Sequence, residues 1–162
     1  MEPVDDGIVI RPLRPGEIPR LWGLWRDSGV AIRSAGRDTL AELSRQQRTN
    51  PEGFLGAFAA TNLVGSVIAT DDTRRGWINR LAVHPENRQA RLGARLLQAA
   101  ERELRRRGLF IIGAHIEADN HASRALYLFA GYKPDERDRV LFQAGWRGCV
   151  GGLPGSDCVL CS

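Results

Sequence analysis

The segment WINRLAVHPENRQARLGARLL, residues 77–97, runs from an apolar strand through a short polar loop straight into the start of a long helix. The first N–H groups of a helix have no partner within it and carry a partial positive charge, which suits a pyrophosphate. Arg88 and Arg91 add side-chain charge there, and Gly93 lets a bulky anion come close to the backbone. An ordinary strand-to-helix loop with exposed arginines has the same features, so the segment alone leaves both readings open. Further along, His115 and Glu117 stand two residues apart on an apolar run, where strand alternation puts both on one face.

The surrounding pattern supplies the elements that must position these groups. GIVIRPL alternates as a half-buried first strand does, and PGEIPRLWGLWRDSG repeats Ile18, Leu21, Trp22 and Trp25 at helical spacing before Gly29. RDTLAELSRQQR reads as a second helix capped by Asp38 and closed before Asn50-Pro51. GFLGAFAA and LVGSVIAT, with Thr61 and Asn62 as the turn, form a hairpin, and DDTRRG leads to a third strand, WINRLAV. In RLGARLLQAAERELRRRG, Leu92, Leu96, Leu97, Ala100 and Leu104 share a face while arginines fill the other. Glu101 and Glu103 precede arginines by four residues on this helix. LFIIGAHI is a strand parallel to the one before the helix, HASRALYLFAG is a short helix after Asn120, and YKPDERDRVLFQAGW is a last hairpin. The order is β-α-α-β-β-β-α-β-α-β-β, an α+β fold with a mixed, mostly antiparallel sheet and flanking helices.

At 162 residues one domain is expected, over residues 8–143, with residues 144–162 a flexible Gly- and Cys-containing tail. The start MEPVDDGIVIRPLRP lacks the order of a signal peptide, and no stretch reaches the roughly 20 apolar residues of a membrane helix. The expected location is the cytoplasm, with no membrane partner. The net charge of +4 is nearly all scattered arginine, Lys133 being the single lysine, and aromatics do not alternate with arginines along a strand. That pattern argues against a nucleic-acid partner. Cys149, Cys158 and Cys161 all lie in the tail, and one CxxC without a nearby His falls short of a four-ligand zinc site, so no metal is expected.

From Trp77 to Tyr132 the chain resembles the GNAT superfamily of acetyl-CoA-dependent N-acetyltransferases. AVHPENRQARLGARLL is similar to its cofactor loop Q/R-x-x-G-x-G/A, FIIGAHIEADN ends in an Asn like the family's, and ALYLFAGY resembles its LYxxxGF signature. The resemblance implies acetyl-CoA as cosubstrate and direct transfer of acetyl to a primary amine of a small molecule, a protein N-terminus or a lysine. It assigns backbone groups of Leu81, Ala82 and Val83 to the pantetheine arm. The pyrophosphate falls to Arg88, Gln89, Ala90, Arg91, Leu92, Gly93 and Ala94, and Asn120 and Ser123 border the cofactor. The last two parallel strands are expected to splay into a V, with Gly113, Ala114 and His115 on one side of it. Tyr127 takes the role of general acid toward the leaving thiolate; the alternative is an aromatic that packs its helix onto the sheet with Leu126 and Phe129. The resemblance also implies that dimers are common.

The chain departs from the family pattern at two places. Asn79 occupies the strand position where many members carry a basic carboxylate, and an amide takes no proton at neutral pH. His115 and Glu117 are the substitutes; an imidazole titrates nearest neutrality, and direct loss of the proton to water is a third route. Arg91 replaces the first glycine of the loop motif. A positive φ there would cost an arginine roughly 1 to 2 kcal/mol, whereas a helical residue would cost nothing, and the regular helix that follows favours the helical case. These departures make a non-catalytic CoA-binding module the alternative reading. Trp22, Trp25 and Arg33 are candidates for an acceptor pocket, against the competing expectation that the tryptophans are core.

Overall fold

The computed structural model describes residues 7–88, 91–135 and 140–144. Its strands are β1 (Ile8–Pro12), β2 (Phe54–Ala59), β3 (Asn62–Asp71), β4 (Gly76–Val83), β5 (Ile111–His115), β6 (Lys133–Pro134) and β7 (Val140–Ala144). Its helices are α1 (Ile18–Asp27), α2 (Leu40–Thr49), α3 (Leu92–Arg106) and α4 (His121–Phe129). One seven-stranded sheet runs β1-β2-β3-β4-β5-β7-β6. Among the described residues only β4 and β5 are parallel neighbours, and the other pairs are antiparallel. The expected element order and mixed sheet are both present.

Two apolar clusters sandwich this sheet. On one side Leu92, Leu96, Leu97, Ala100 and Leu104 of α3 pack with Val67, Ala69, Ile78, Ile112 and Ala114, together with Tyr127 and Tyr132. On the other, Ile18, Leu21 and Trp25 of α1 and Leu43 of α2 cover Phe54, Phe58 and Ile68. The helix α3 lies close to the strands because two glycines make room for it. A Cβ on Gly65 would come within 2.8 Å of Leu96 Cδ1, and one on Gly76 within 2.8 Å of Leu104 Cδ1.

Some local expectations are corrected. Thr39, not Asp38, caps α2, its hydroxyl accepting from the Glu42 N–H at 3.2 Å, because Asp38 is buried in a different role described below. The β2–β3 turn is Ala60–Thr61, with Asn62 already paired to Ala59 and Ala60 at φ 54°. The apolar run LFIIGAHI yields a strand only from Ile111 to His115, because Leu109 donates its N–H to the Leu104 carbonyl and closes the end of α3. The tail at 145–162, with its three cysteines, lies outside the described residues.

A bidentate pair ties the first strand to the turn before α1: Arg11 donates to Glu17 Oε1 at 2.7 Å and Oε2 at 2.9 Å. Those bonds hold the Glu17 carboxyl down at about 2, against the opposing effect of its partial burial. A carboxylate whose folded value lies below the unfolded one stabilises the fold above the unfolded value of about 4.3. That contribution disappears as the pH falls toward 2. Glu17→Gln should therefore cost about 1 kcal/mol at pH 7, discounting for solvent around the pair, and nothing near pH 2, as read by urea unfolding at both values.

Candidate active site

The site is organised by an irregularity in β4. Between Ser66↔Ala82 and Ile68↔Asn79, β3 advances two residues while β4 advances three, so β4 carries a bulge. Arg80 sits in it with φ 53°. The extra residue reverses which face each side chain takes. Ile78 packs with α3, yet Ala82 belongs to the opposite cluster, and Leu81 and Val83 turn toward α3 instead.

The far edge of β4 is open over this same stretch. Its parallel pairing with β5 is confined to Gly76↔Ile112 and Trp77↔Gly113, while β5 goes on pairing with β7 as far as His115↔Val140. From Ile78 to Val83, then, the β5-facing backbone of β4 has no strand partner among the described residues. This agrees with the splayed pair of strands that the resemblance implies.

Arg80 holds the bulge through its side chain. Its guanidinium donates to Asp38 Oδ2 at 2.5 Å and to the Ala31 carbonyl, and lies 5.1 Å from the Trp25 ring centroid. Asp38, 3% exposed, also accepts from the Arg33 N–H at 2.8 Å, and its carbonyl accepts from Trp22 Nε1 at 3.0 Å. Trp25 Nε1 donates to Ser66 Oγ at 3.1 Å. The segment between α1 and α2 is thus fastened to β4 beside the opening. Trp25 is core, Trp22 braces Asp38, and Arg33 contributes its backbone N–H. Sequence reasoning missed Arg80, since its partner lies 42 residues away and no local spacing marks the pair.

Trp77, Asn79 and His115 share the sheet face opposite α3, at the point where β4 and β5 cease to pair. The His115 ring stacks on Trp77 with centroids 5.2 Å apart and planes at 15°. Asn79 Nδ2 donates to Thr70 Oγ1 at 3.0 Å. The strand β5 ends at His115, but Ile116 still packs with the α3-side cluster as Ile112 and Ala114 do, which leaves His115 and Glu117 both exposed on either side of it. Glu117 also starts a turn in which its carbonyl accepts from the Asn120 N–H at 3.0 Å.

At the other end of the opening stands the start of α3. Arg91 precedes the helix at φ 52°, ψ 21°, which corrects the expectation of a helical residue there: the loop must reverse before the helix starts, the usual place for glycine. Leu92, Gly93 and Ala94 form the first turn, and the first backbone bond back runs from the Arg95 N–H to the Arg91 carbonyl at 3.1 Å. A Cβ on Gly93 would meet Leu126 Cδ2 at 3.2 Å and Val83 Cγ2 at 3.9 Å, so this turn lies where α4 and β4 converge. Arg88 donates to the Ser28 carbonyl at 3.0 Å and the Val83 carbonyl at 3.3 Å. Gln89 and Ala90 lie outside the described residues.

On α4, Asn120 caps the helix, its Oδ1 accepting from the Ser123 N–H at 3.1 Å. Tyr127 is 3% exposed and meets Tyr132 edge to face, with centroids 4.9 Å apart. Burial first, and the charge of Glu101 second, raise its hydroxyl above the ordinary tyrosine value, so it is a protonated donor at neutral pH. Leu126 packs on the α3-side cluster, but Phe129 is 92% exposed and packs nothing onto the sheet. Among the described residues no group of three or more His, Cys, Asp or Glu could hold a metal ion, and no helix is long and apolar enough to cross a membrane.

An open parallel strand pair, a bulge at its mouth and a helix start at its head define an acyltransferase architecture. The model of the acetyltransferase (GNAT) family matches residues 19–132, and the chain belongs to that family. It is 27% identical over 99 residues to a spermidine N(1)-acetyltransferase of Thermoplasma acidophilum, covering 61% of this chain and 62% of that protein. An acetyltransferase of Photorhabdus laumondii is 26% identical over 133 residues, 82% of this chain and 92% of the relative. Among solved structures, the PaiA N-acetyltransferase of Thermoplasma acidophilum in complex with coenzyme A superposes with a TM-score of 0.72 at 22% identity, covering 84% of this chain and 98% of that one.

Relief of the strain at Arg91 is measurable. Arg91→Gly should raise stability by about 1 kcal/mol, seen as a higher melting temperature in thermal unfolding.

Proposed function

We propose that the protein is an acetyl-CoA-dependent N-acetyltransferase that moves acetyl directly onto a primary amine, of a small molecule or of a protein N-terminus or lysine. The observation that carries this reading is the loss of β4–β5 pairing beyond Trp77 and Gly113, beside the β4 bulge and below the start of α3. An unpaired strand edge offers the amides of an extended pantetheine arm the hydrogen bonds that a neighbouring strand would otherwise make. Leu81, Ala82 and Val83 supply that edge. Leu92, Gly93 and Ala94 offer to the pyrophosphate the N–H groups that a helix start leaves without an intrahelical partner, with Arg88, Gln89, Ala90 and Arg91 leading into them, and Asn120 and Ser123 border the cofactor at the start of α4. Acetyl-CoA supplies the activated thioester.

In the transfer the amine lone pair attacks the thioester carbon, the C–N bond forms and the C–S bond breaks. Tyr127 gives its phenolic proton to the departing thiolate and regains one from solvent. The proton lost by the amine passes to His115 or to water; the Trp77 stack fixes the imidazole at the mouth of the strand gap. Asn79, bonded to Thr70, orients its surroundings and takes no proton. Spermidine enters the acceptor panel because a relative bears that name; peptides with a free N-terminus or a lysine complete it.

Isothermal titration of acetyl-CoA tests the cofactor site. Micromolar binding is expected, weakened tenfold or more, about 1.4 kcal/mol, by Gly93→Trp, which forces a ring against Leu126, and less by Arg88→Ala. Absence of binding by the parent protein would overturn the reading, and tight binding without acetylation of any panel amine would favour a non-catalytic CoA-binding module. For the acid, Tyr127→Phe should lower kcat by about 10² to 10⁴ with KM for acetyl-CoA unchanged, followed by thiol release. Full turnover across pH would remove that role.

A further inference from the structure

The transfer described above makes no use of the buried carboxylate on α3. Glu101 is 7% exposed, on the helix face that carries Leu97, Ala100 and Leu104. A buried carboxylate is costly unless hydrogen-bonded, and Glu101 has one close donor among the described residues: Tyr132 Oη, 2.9 Å from Oε1. Arg105 reaches Oε2 only at 3.7 Å, from the rim. Where the family's signature closes on phenylalanine, this chain has Tyr132, and the added hydroxyl is the group that meets Glu101.

Tyr132 is in turn the residue against which Tyr127 rests. Its ring stands at 85° to that of Tyr127, and its N–H donates to the Tyr127 carbonyl at 3.0 Å across the turn at Gly131, φ 93°. Edge-to-face aromatic pairs favour a particular ring orientation. The chain of contacts therefore runs from the Glu101 carboxylate through the Tyr132 hydroxyl and ring to the ring of Tyr127.

We propose that Glu101, acting through Tyr132, is a positioning residue for Tyr127: its hydrogen bond fixes the ring that orients Tyr127, and its carboxylate adds a negative charge to the same buried cluster. The inference rests on Tyr127 being the general acid. The charged and titratable groups acting at this place are Glu101 with Arg102 and Arg105 from α3, Tyr127 from α4 and Tyr132 from the turn after it. Burial raises the Glu101 carboxyl, with the Tyr132 bond and the two arginines acting the other way, and the Glu101 charge adds to burial in raising both tyrosines. Once Tyr127 has given up its proton, its phenolate lies in the field of a carboxylate in a poorly solvated place, so its proton is promptly restored and the acid form persists into alkaline solution. Activity that needs the protonated phenol is lost as pH rises through its pKa. Removing the charge must move that loss to lower pH.

The chain contains two tyrosines, Tyr127 and Tyr132, so ultraviolet tyrosinate absorbance reports on this cluster alone. Five variants are compared with the parent: Glu101→Gln, which keeps size and acceptor but loses charge; Tyr132→Phe, which keeps the ring but loses the bond; Tyr127→Phe; and each of the first two combined with Tyr127→Phe. The donor is acetyl-CoA and the acceptor is the panel amine turned over fastest. In Glu101→Gln, tyrosinate absorbance and the alkaline limb of kcat should both move down by about one pH unit, with KM for acetyl-CoA unchanged. Tyr132→Phe should lower kcat about tenfold at constant KM. On the Tyr127→Phe background neither change should lower kcat further.

An unmoved alkaline limb in Glu101→Gln, or equal losses with and without Tyr127, would overturn the inference, since general structural damage does not depend on Tyr127. If Tyr127→Phe is inactive while Glu101→Gln and Tyr132→Phe match the parent, the positioning role falls and the acid role stands. If Tyr127→Phe is fully active, the acid role itself falls. Should Glu101→Gln fail to fold, Glu101→Leu with Tyr132→Phe removes both partners together, and the same downward shift of the limb is expected.

Discussion

Arg80 adopts a left-handed backbone that costs an L-residue about 1 to 2 kcal/mol, and its own side chain is what keeps it there. Bonds to Asp38 and Ala31, together with the Trp25 ring, anchor the guanidinium on the α1 side of the sheet. With that anchor the bulge is fixed, and the alternation of β4 reverses after Asn79. Leu81 and Val83 then face α3, at the level where Gly93 begins its turn. A regular strand would have placed Leu81 and Val83 on the other face. The same pair also fastens the connection between the first two helices to the strand that borders the opening.

A long helix connects the two ends of the candidate site. The first turn of α3 abuts α4 and β4, while Glu101, more than two turns further along, reaches Tyr132 beneath the candidate acid. Cofactor-side and acid-side groups are therefore carried on one rigid element, seated on the sheet by Leu96 over Gly65 and Leu104 over Gly76. Relative displacement of the two would require bending that helix or lifting it from its glycine seats.

The element order, the parallel crossover and the face of α3 were legible in the sequence because each rests on a period or on local capping chemistry. Leu92, Leu96, Leu97, Ala100 and Leu104 are all buried as their spacing required. Misreadings arose where a residue serves a distant partner. Asp38 has the composition of a cap and is a buried counter-ion for Arg80; Glu101 keeps the pair with Arg105 that its spacing implied, at 3.7 Å, but is buried and also accepts from Tyr132 across 31 residues. The strand bulge leaves no trace in local composition, since Arg80 is not a residue that favours a positive φ. At Arg91 the family's glycine had marked the strain correctly, and the regular helix that follows masked it. His115 and Tyr127 were named from sequence, but the Trp77 stack and the Tyr132 edge contact that hold them depend on pairing between strands and helices far apart in the chain.

Gly76 has one more implication. It is paired with Ile112 at the closed end of the strand gap, and Leu104 of α3 rests directly over it. Geometrically this residue is the vertex of an angle whose two arms are β4 and β5, and the helix presses on the vertex through Leu104 while its first turn meets the β4 arm at Val83. A helix so seated backs the closed end from which the two arms diverge. The seat of the helix at that vertex thus depends on the absence of a single methyl group.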